Sequence, residues 1–293
     1  MLVLLNSIKV NKPQCLRLWI AGITLLVCLM LASVVGAAGQ YSSQSDNGIT
    51  SLYYMSYGES PFSMKYLFAD TTVDSTTKID WAFYFAKVHG QCVLIDVGFD
   101  NKELAAKWGV TIKETPVALL KKLNVTPDMI KTIIITHAHF DHIACLPEFP
   151  NAKVYISKEA ADRYLAAPED PKIAEVLKDS KRTVTFSNHI VVNGVFTVKT
   201  VGGHMPGSSV AEFSHGGKKY ILTGDECYLC RNASEKRPIG ALMGDKDRNV
   251  RFLDEVAAKK QIVLPCHDPS ITRKYTFVDT NISMIFGSKP QHK

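Results

Sequence analysis

One short segment constrains this chain more than any other: H-x-H-x-D-H, made of His137, His139, Asp141 and His142 directly after the apolar run Ile133–Ile135. Such a pattern would arise by chance about 5 × 10⁻⁴ times in a chain of this length and composition, so it is a specific signal. The first two histidines alternate as a strand ends, so both imidazoles point the same way. The chain then turns and presents Asp141 and His142 to a neighbouring position. The segment can therefore serve two metals side by side, with ligands that suit zinc or a similar divalent ion.

Three more residues that can bind metals each follow a strand-length apolar run: His204, Asp225 and His267. Loops after strands are where a rigid sheet usually presents catalytic groups, so we expect these residues to share one edge of the fold. His204 can give a third nitrogen to a first metal, His267 can do the same for a second, and the Asp225 carboxylate can bridge both. The set suits a co-catalytic pair with a hydroxide between the ions. The alternative, that each is an isolated turn residue, is the weaker interpretation after the preceding motif.

Beyond residue 50, strand-length apolar runs and helix-like stretches mix irregularly. The predicted strands are Gln91–Val97, Lys131–Thr136, Lys153–Ile156, Val195–Val201, Lys219–Thr223 and Gln261–Pro265. The predicted helices are Asn101–Trp108, Thr115–Leu123, Lys158–Ala166, Pro171–Lys178 and Lys246–Lys260. Because the two kinds follow no strict βαβ order, the sequence favours a layered α/β protein over a doubly wound sheet.

The ligand pattern resembles the signature of the metallo-β-lactamase superfamily of hydrolases, which is H-x-H-x-D-H followed by His, Asp and His. All of these positions are filled, and the resemblance extends at least from Asp96 to Asp268. It implies an αββα sandwich with the metal site at the edge of the two sheets, holding two divalent ions, with zinc as the expected metal. It also implies how the ligands are shared: His137, His139 and His204 on one metal, Asp141, His142 and His267 on the other, and Asp225 between them.

A finer resemblance is to the N-acyl-homoserine lactonases. Tyr228 stands three residues after Asp225, and His204 lies in the turn Gly-His-Met-Pro-Gly. The resemblance implies a hydrolase that opens a lactone ring by attack of a hydroxide that bridges the metals. It gives two residues catalytic roles beyond metal binding: Tyr228 assists at the substrate carbonyl, and Asp141 carries a proton to the leaving ring oxygen.

Two features depart from the lactonase pattern. Glu226 and Cys227 stand beside the bridging residue, where small residues would be expected, and an apolar leader precedes the domain. They bear on the acyl-homoserine substrate and not on lactone hydrolysis. The alternative is another hydrolase of the same fold, acting on a thioester, a phosphoester or a β-lactam. A complete Asp141 and Asp225 are unusual in a β-lactamase, which counts against that substrate. A binding module without catalysis would have no need of two complete metal sites.

The first forty residues have the pattern of a secretory signal. Lys9, Lys12 and Arg17 precede Leu18–Val35, which contains no charged residue, and small residues follow at 36–39. We therefore expect a signal peptide over residues 1–37, a linker over 38–50 and a hydrolase domain over 51–293. The protein would be exported, to the periplasm or the medium. The alternative is that an uncleaved leader anchors it in a membrane, because the apolar run is long enough to begin spanning one.

Charge and cysteine content constrain the partners. The formal net charge of +6 falls to +6 − 3 = +3 without the leader, and no dense basic block remains. Nucleic acid is therefore not an expected partner, a small-molecule substrate is, and the oligomeric state is left open. Five cysteines lie beyond the leader, so at least one thiol stays free: Cys92, Cys145, Cys227, Cys230 and Cys266. A lone Cys227-x-x-Cys230 is a weak signal for redox chemistry or zinc.

Other aromatic and histidine residues receive a structural interpretation. The aromatic-rich stretch Tyr53–Phe68 is expected to form core, with the alternative that Phe62 or Phe68 provides an apolar wall for an acyl chain. His89 and His215 stand before glycines in turn signals, so neither is expected to carry chemistry.

Overall fold

The computed structural model of the protein describes residues 48–288. The predicted signal peptide over 1–37 and nearly all of the predicted linker over 38–50 lie outside the described residues. The first strand begins at Ile49, slightly before the domain boundary predicted at residue 51. Among the described residues, no helix has both the length and the apolar character needed to cross a membrane.

The described chain contains fourteen strands and nine α-helices. Its strands are β1 (Ile49–Ser63), β2 (Thr76–Val88), β3 (Gln91–Ile95), β4 (Thr111–Ile112), β5 (Ile130–Ile134), β6 (Lys153–Ser157), β7 (Thr183–Phe186), β8 (His189–Val192), β9 (Phe196–Thr200), β10 (Ser209–His215), β11 (Lys218–Leu222), β12 (Ile262–Leu264), β13 (Thr276–Asp279) and β14 (Ile282–Phe286). Its α-helices are α1 (Met64–Leu67), α2 (Lys102–Trp108), α3 (Pro116–Lys122), α4 (Phe140–Ile143), α5 (Lys158–Ala166), α6 (Pro171–Lys178), α7 (Cys230–Ser234), α8 (Lys246–Lys259) and α9 (Ser270–Lys274). Short 3₁₀ helices span Pro127–Met129, Leu146–Glu148 and Gly224–Glu226.

The strands form two sheets. The larger has the order β13-β14-β1-β2-β3-β5-β6-β7, with β4 paired to β1, and the smaller has the order β12-β11-β10-β9-β8. In the larger sheet β3, β5, β6 and β7 run parallel, while β1 and β2 form a long antiparallel pair. In the smaller sheet β11 and β12 are parallel, so their carboxyl ends meet at one edge.

Apolar side chains fill three layers around these sheets. Between the sheets lies a cluster to which both contribute large buried residues, among them Tyr54, Tyr84, Ile134, Phe196, Phe213 and Leu222. On the outer face of the larger sheet, Leu120 of α3, Tyr164 of α5 and Leu177 of α6 belong to a second buried cluster. On the outer face of the smaller sheet, Leu253 and Val256 of α8 pack with Ile221. The αββα sandwich that the resemblance implied is therefore confirmed.

Each of the predicted strands and helices is present, with ends that differ by a few residues at most. The hairpin turn predicted at His89 lies between β2 and β3, and His89 itself has a left-handed φ of 49°. The aromatic-rich stretch 53–68 was expected to be core, and most of it forms β1, whose residues are largely buried. Its partner β2 was not predicted as a strand.

Candidate metal centre

Four strand ends place the predicted ligands at one edge of the sandwich. His137 and His139 follow β5 of the larger sheet, and Asp141 and His142 lie in α4 just beyond them. The remaining ligands come from the smaller sheet, after β9, β11 and β12: His204, Asp225 and His267. The structure thus brings together all of the residues that the sequence nominated as ligands. It sorts them into two clusters that share one member, Asp225.

The first cluster consists of His137, His139, His204 and Asp225. Nδ1 of His139 lies 3.0 Å from Nε2 of His137 and 3.0 Å from Nε2 of His204. Oδ2 of Asp225 lies 3.7 Å from Nε2 of His137 and 3.6 Å from Nε2 of His204. Three ring nitrogens and one carboxylate oxygen thus converge on a single small volume.

The second cluster consists of Asp141, His142, His267 and the same Asp225. Oδ1 of Asp225, its other oxygen, lies 3.2 Å from Nε2 of His142 and 3.1 Å from Nε2 of His267. Oδ2 of Asp141 lies 3.1 Å and 3.4 Å from the same two nitrogens. The two oxygens of Asp225 therefore face different clusters.

Hydrogen bonds to the other ring nitrogen orient the histidines. Nδ1 of His204 lies 2.9 Å from the Ala241 carbonyl oxygen, and Nδ1 of His267 lies 2.9 Å from that of Asp80. A carbonyl oxygen can only accept, so these nitrogens donate, and in the neutral imidazole each Nε2 offers a lone pair to its cluster. His139 presents Nδ1 instead.

Asp96 orients Thr136 and His142 in the segment that follows β5. Its Oδ2 lies 2.8 Å from Nδ1 of His142, and it accepts hydrogen bonds from the backbone N–H and the hydroxyl of Thr136 at 2.8 and 2.9 Å. Asp96 has φ of 60°, a left-handed conformation that costs free energy outside glycine and is often retained at functional sites. Carboxylate–histidine pairs of this kind fix the tautomer of a metal ligand.

The polar atoms of the clusters fit divalent cations. Nε2 of His142, Oδ1 of Asp225 and Nε2 of His267 are buried and have no hydrogen-bond partner. Leaving one such group buried and unsatisfied costs about 1–3 kcal/mol, and this structure concentrates three of them at one place. Imidazole and carboxylate ligands are the donor set that zinc and similar ions accept. The described residues therefore include two His/Asp clusters able to bind metals.

The electrostatic field differs between the clusters. Burial lowers the pKa of His204 to about 4, and burial also holds the pKa of His137 well below its usual value. Burial alone would lower the pKa of His267 too, but the carboxylates of Asp225 and Asp141 outweigh it and raise that pKa to about 10. The first cluster thus presents neutral imidazoles, whereas in the second the two carboxylates favour a proton on His267, which a divalent cation would displace.

Tyr228 lies against the second cluster. Its ring stacks on the ring of His267 with centroids 5.2 Å apart and on Phe62 at 5.8 Å. Burial, helped by the carboxylates of Asp225 and Asp141, raises the pKa of Tyr228 well above its usual value. The residue therefore keeps its proton at neutral pH and can act as a hydrogen-bond donor.

A cavity of about 650 Å³ opens onto both clusters. Aromatic side chains make up much of its wall: Phe62, Tyr66, Trp81, Trp108, Phe140 and Tyr228. Of the two phenylalanines considered for an apolar wall, Phe62 lines the cavity, whereas Phe68 is fully buried in the core. A substrate bound at the clusters would therefore lie in a cavity with a largely aromatic wall.

The sequence did not nominate several residues that build this site. Trp81 and Ile79 line the cavity from β2, and the supporting carbonyls belong to Asp80 and Ala241. A backbone carbonyl has no side-chain signature, so no pattern could have identified the last two. The only sequence signal for Trp81 is that it is an aromatic residue in a strand. Both faces of β2 are buried, so the strand itself shows no alternation that would identify it.

The cysteines take no part in either cluster. All five in the described chain carry free thiols, and Cys227 and Cys266 are buried. Burial raises the pKa of both thiols well above the usual value, which disfavours the reactive thiolate. Cys266 lies 3.9 Å from Asp96 Oδ2, behind His142, and the Cys227-x-x-Cys230 pair contributes to neither metal-type cluster.

Paired His/Asp clusters at the edge of an αββα sandwich define a class of metal-dependent hydrolases, and the enzyme class predicted from the sequence is confirmed. Residues 82–276 match the metallo-beta-lactamase superfamily, and the chain belongs to that superfamily. No curated protein matches the chain by sequence.

Solved structures share the fold at low sequence identity. A quorum-quenching N-acyl homoserine lactone lactonase is 18% identical, covering 77% of this chain and 95% of its own, with a TM-score of 0.66. An N-acyl homoserine lactone hydrolase with the product N-hexanoyl-L-homoserine at its catalytic metal centre is 18% identical, covering 77% and 96%, with a TM-score of 0.65. A probable metal-dependent hydrolase from Staphylococcus aureus is 18% identical, covering 76% and 91%, with a TM-score of 0.63.

Proposed function

We propose that the protein is a dinuclear-metal hydrolase that opens a lactone ring, with N-acyl-homoserine lactones as its substrates. The observation that carries the proposal is the placement of Asp225, whose two carboxylate oxygens face two separate histidine clusters at 3.1–3.7 Å. One carboxylate shared in this way suits two ions close together, the arrangement used to activate a water and polarise a carbonyl.

The ligands are assigned by cluster. His137, His139 and His204 would hold the first ion, Asp141, His142 and His267 the second, and Asp225 both. Zinc is the proposed metal, because nitrogen-rich sites with carboxylates suit it. Two such ions, when bound, supply Lewis acidity and a water whose pKa is brought towards neutrality.

Tyr228 is the proposed donor to the substrate carbonyl. It is buried beside His267, and its raised pKa keeps the hydroxyl protonated. As the carbonyl carbon becomes tetrahedral, its oxygen gains negative charge, and a preorganised donor stabilises that charge more than it stabilises the ground state.

Asp141 is the proposed proton carrier for the leaving ring oxygen. Its Oδ2 faces His142 and His267 at 3.1 and 3.4 Å, which leaves Oδ1 as the oxygen that can hold a proton. Asp141 also lines the cavity. The lowered pKa of Asp141 keeps it ionised at rest, so it would take the proton that the attacking water loses and deliver it to the ring oxygen, which then leaves as an alcohol rather than an alkoxide.

The aromatic wall supports a substrate with an apolar chain. Phe62, Trp81 and Phe140 line the same cavity as the metal-type clusters, together with Tyr66 and Trp108, which are 53% and 44% exposed. An acyl chain buried along this wall would contribute binding energy in proportion to its apolar area. Two of the proteins that share this fold are described as acting on N-acyl homoserine lactones, which is consistent with the proposal.

A substrate panel tests the proposal. The zinc-loaded protein is assayed on N-acyl-homoserine lactones of increasing chain length, an aryl lactone, a glutathione thioester, a phosphotriester and a β-lactam. We expect the highest kcat/KM on acyl-homoserine lactones, rising with chain length. Efficient hydrolysis of the thioester or the phosphotriester with lactones at background would overturn the lactonase assignment and leave the metal-dependent hydrolase.

A further inference from the structure

We propose that Glu226 is a positioning residue that fixes the backbone of His204 and thereby sets the geometry of the first metal position. The inference rests on the proposed dinuclear site. Glu226 directly follows Asp225 and is one of the residues that depart from the lactonase pattern. A fully buried carboxylate in its place needs a physical reason.

One oxygen of Glu226 holds the turn that carries His204. Oε1 accepts hydrogen bonds from the backbone N–H groups of Gly203 and His204 at 2.9 and 3.0 Å. The same oxygen accepts from the Ser208 hydroxyl at 2.5 Å. The turn is therefore tied to Glu226 both at the ligand itself and at its far end.

The other oxygen joins this turn to α8. Oε2 accepts a hydrogen bond from Nδ2 of Asn249 at 2.9 Å, and Nδ2 also donates to the Glu226 carbonyl oxygen at 2.9 Å. Asn249 lies on α8 and is fully buried. These four donor groups are neutral, so they satisfy the carboxylate without pairing it with a cation.

The backbone at Gly203 is tightly packed against its neighbours. A Cβ built on Gly203 would come within 2.4 Å of Oε2 of Glu226 and 2.7 Å of Cβ of Asn249. The carboxylate thus packs directly on the backbone next to the ligand. A side chain one methylene shorter could not reach the same donors.

The location of these hydrogen bonds explains why a carboxylate is present at residue 226. Burying a carboxylate on neutral donors costs free energy, so stability alone would favour an uncharged residue here. The N–H donors of Gly203 and His204 belong to the loop of a metal ligand, and Glu226 is covalently joined to the bridging ligand. One residue therefore fixes the backbone of Asp225 and His204 relative to each other, which is what a metal needs from groups outside its ligand set.

Three variants separate position from charge. Glu226→Asp keeps the charge and shortens the reach. Glu226→Gln keeps the size but turns an N–H donor towards the Asn249 amide, so two donors face each other. The double variant Glu226→Gln with Asn249→Asp restores an acceptor opposite that donor and keeps the net charge, but it loses the hydrogen bond from Nδ2 of Asn249 to the backbone carbonyl oxygen of residue 226.

Metal binding is the measurement, by competition of a chromogenic chelator with zinc and by metal analysis after dialysis. We expect Glu226→Asp and Glu226→Gln to weaken one of the two ions about 10- to 100-fold, while the other is retained. The double variant should recover part of the loss.

Asn232→Ala is the matched control. Asn232 is a buried amide that hydrogen-bonds the backbone of Leu229 and Arg237 and contacts no ligand. The variant should lower the melting temperature and leave both affinities unchanged.

The outcomes distinguish this inference from the proposed function. Unchanged affinity for both ions in Glu226→Asp and Glu226→Gln would overturn the positioning role, and so would loss of both ions in proportion to unfolding. A wild-type protein that binds fewer than two ions would instead overturn the dinuclear site itself.

Discussion

At the scale of single residues, the site depends on which atom of each side chain faces the cavity. Asp225 is the clearest case, because its two oxygens lie against different clusters. The histidines behave alike: carbonyl oxygens engage Nδ1 of His204 and His267, which leaves Nε2 as the ligand atom. Replacing one atom can therefore test a role without changing the fold.

Asp225→Asn replaces one carboxylate oxygen by an amide nitrogen that cannot ligate. We expect one ion to be lost preferentially and turnover to fall by orders of magnitude, because activation of the water depends on the pair. Metal analysis and steady-state kinetics measure the two effects. Asp70→Asn, an exposed carboxylate paired with Arg237, serves as the control. Two tightly bound ions and unchanged turnover in Asp225→Asn would remove its bridging role.

Tyr228→Phe removes a single oxygen from the cavity. We expect turnover on lactones to fall roughly tenfold to a thousandfold, the range for losing one oxyanion donor, with metal content unchanged. Tyr220→Phe is a matched control, because Tyr220 is also buried but stacks on Phe213 away from the cavity. If lactone hydrolysis is untouched in Tyr228→Phe, the residue only packs against His267 and the substrate assignment loses its support from Tyr228.

At the scale of elements, strand ends determine the site and loops complete it. The turn after β9 is crowded, since a Cβ on Gly203 would meet both the Glu226 carboxylate and Asn249 of α8. Gly203→Ala should therefore displace His204, lowering both metal content and melting temperature. Gly216→Ala is the comparison: its φ of 55° makes alanine strained, but nothing lies within 4 Å. That variant should lose some stability and bind metal normally. Equal metal content in both variants would contradict the crowding argument.

The element scale also shows how far the sequence predicts this molecule. The ligands were predictable because each follows an apolar run and carries a distinctive side chain. The pair β1 and β2 was not, because both faces of the larger sheet are covered and its strands lack the alternation of a half-exposed strand. Tyr53 and Tyr54 pack in different layers, yet both are buried. The supporting atoms at Asp80 and Ala241 were beyond prediction, since they belong to the backbone.

At the scale of the whole molecule, bound ions should contribute to stability. A ligand held at about 100 times its Kd stabilises the native state by about 2.7 kcal/mol, which is roughly 5–10 °C in melting temperature for a domain of this size. Chelation should therefore lower the melting temperature by about that amount. It should also abolish hydrolysis, because the proposed reaction needs the ions. In His137→Ala, which begins with less metal, the chelator should have a smaller effect. A chelated protein with full activity would contradict the proposed function.

The leader gives a prediction about location. We propose export with cleavage, so mature protein should begin near Ala38 and be recovered outside the cytoplasm. Mass spectrometry of the purified protein and cell fractionation measure both. Intact chains that retain Met1–Val35 in the membrane fraction would favour an anchor instead.

Because each cluster takes ligands from both sheets, a bound ion would also link the two sheets to each other. His142 and His267 are separated by 267 − 142 = 125 residues, and an ion held by both closes that long loop. Joining distant parts of a chain in this way restricts the unfolded ensemble most when the loop is long. Loss of metal should therefore loosen the edge of the sandwich before its centre. Amide hydrogen exchange would then quicken at the strand ends after β5, β9, β11 and β12 while the aromatic layer between the sheets stays protected.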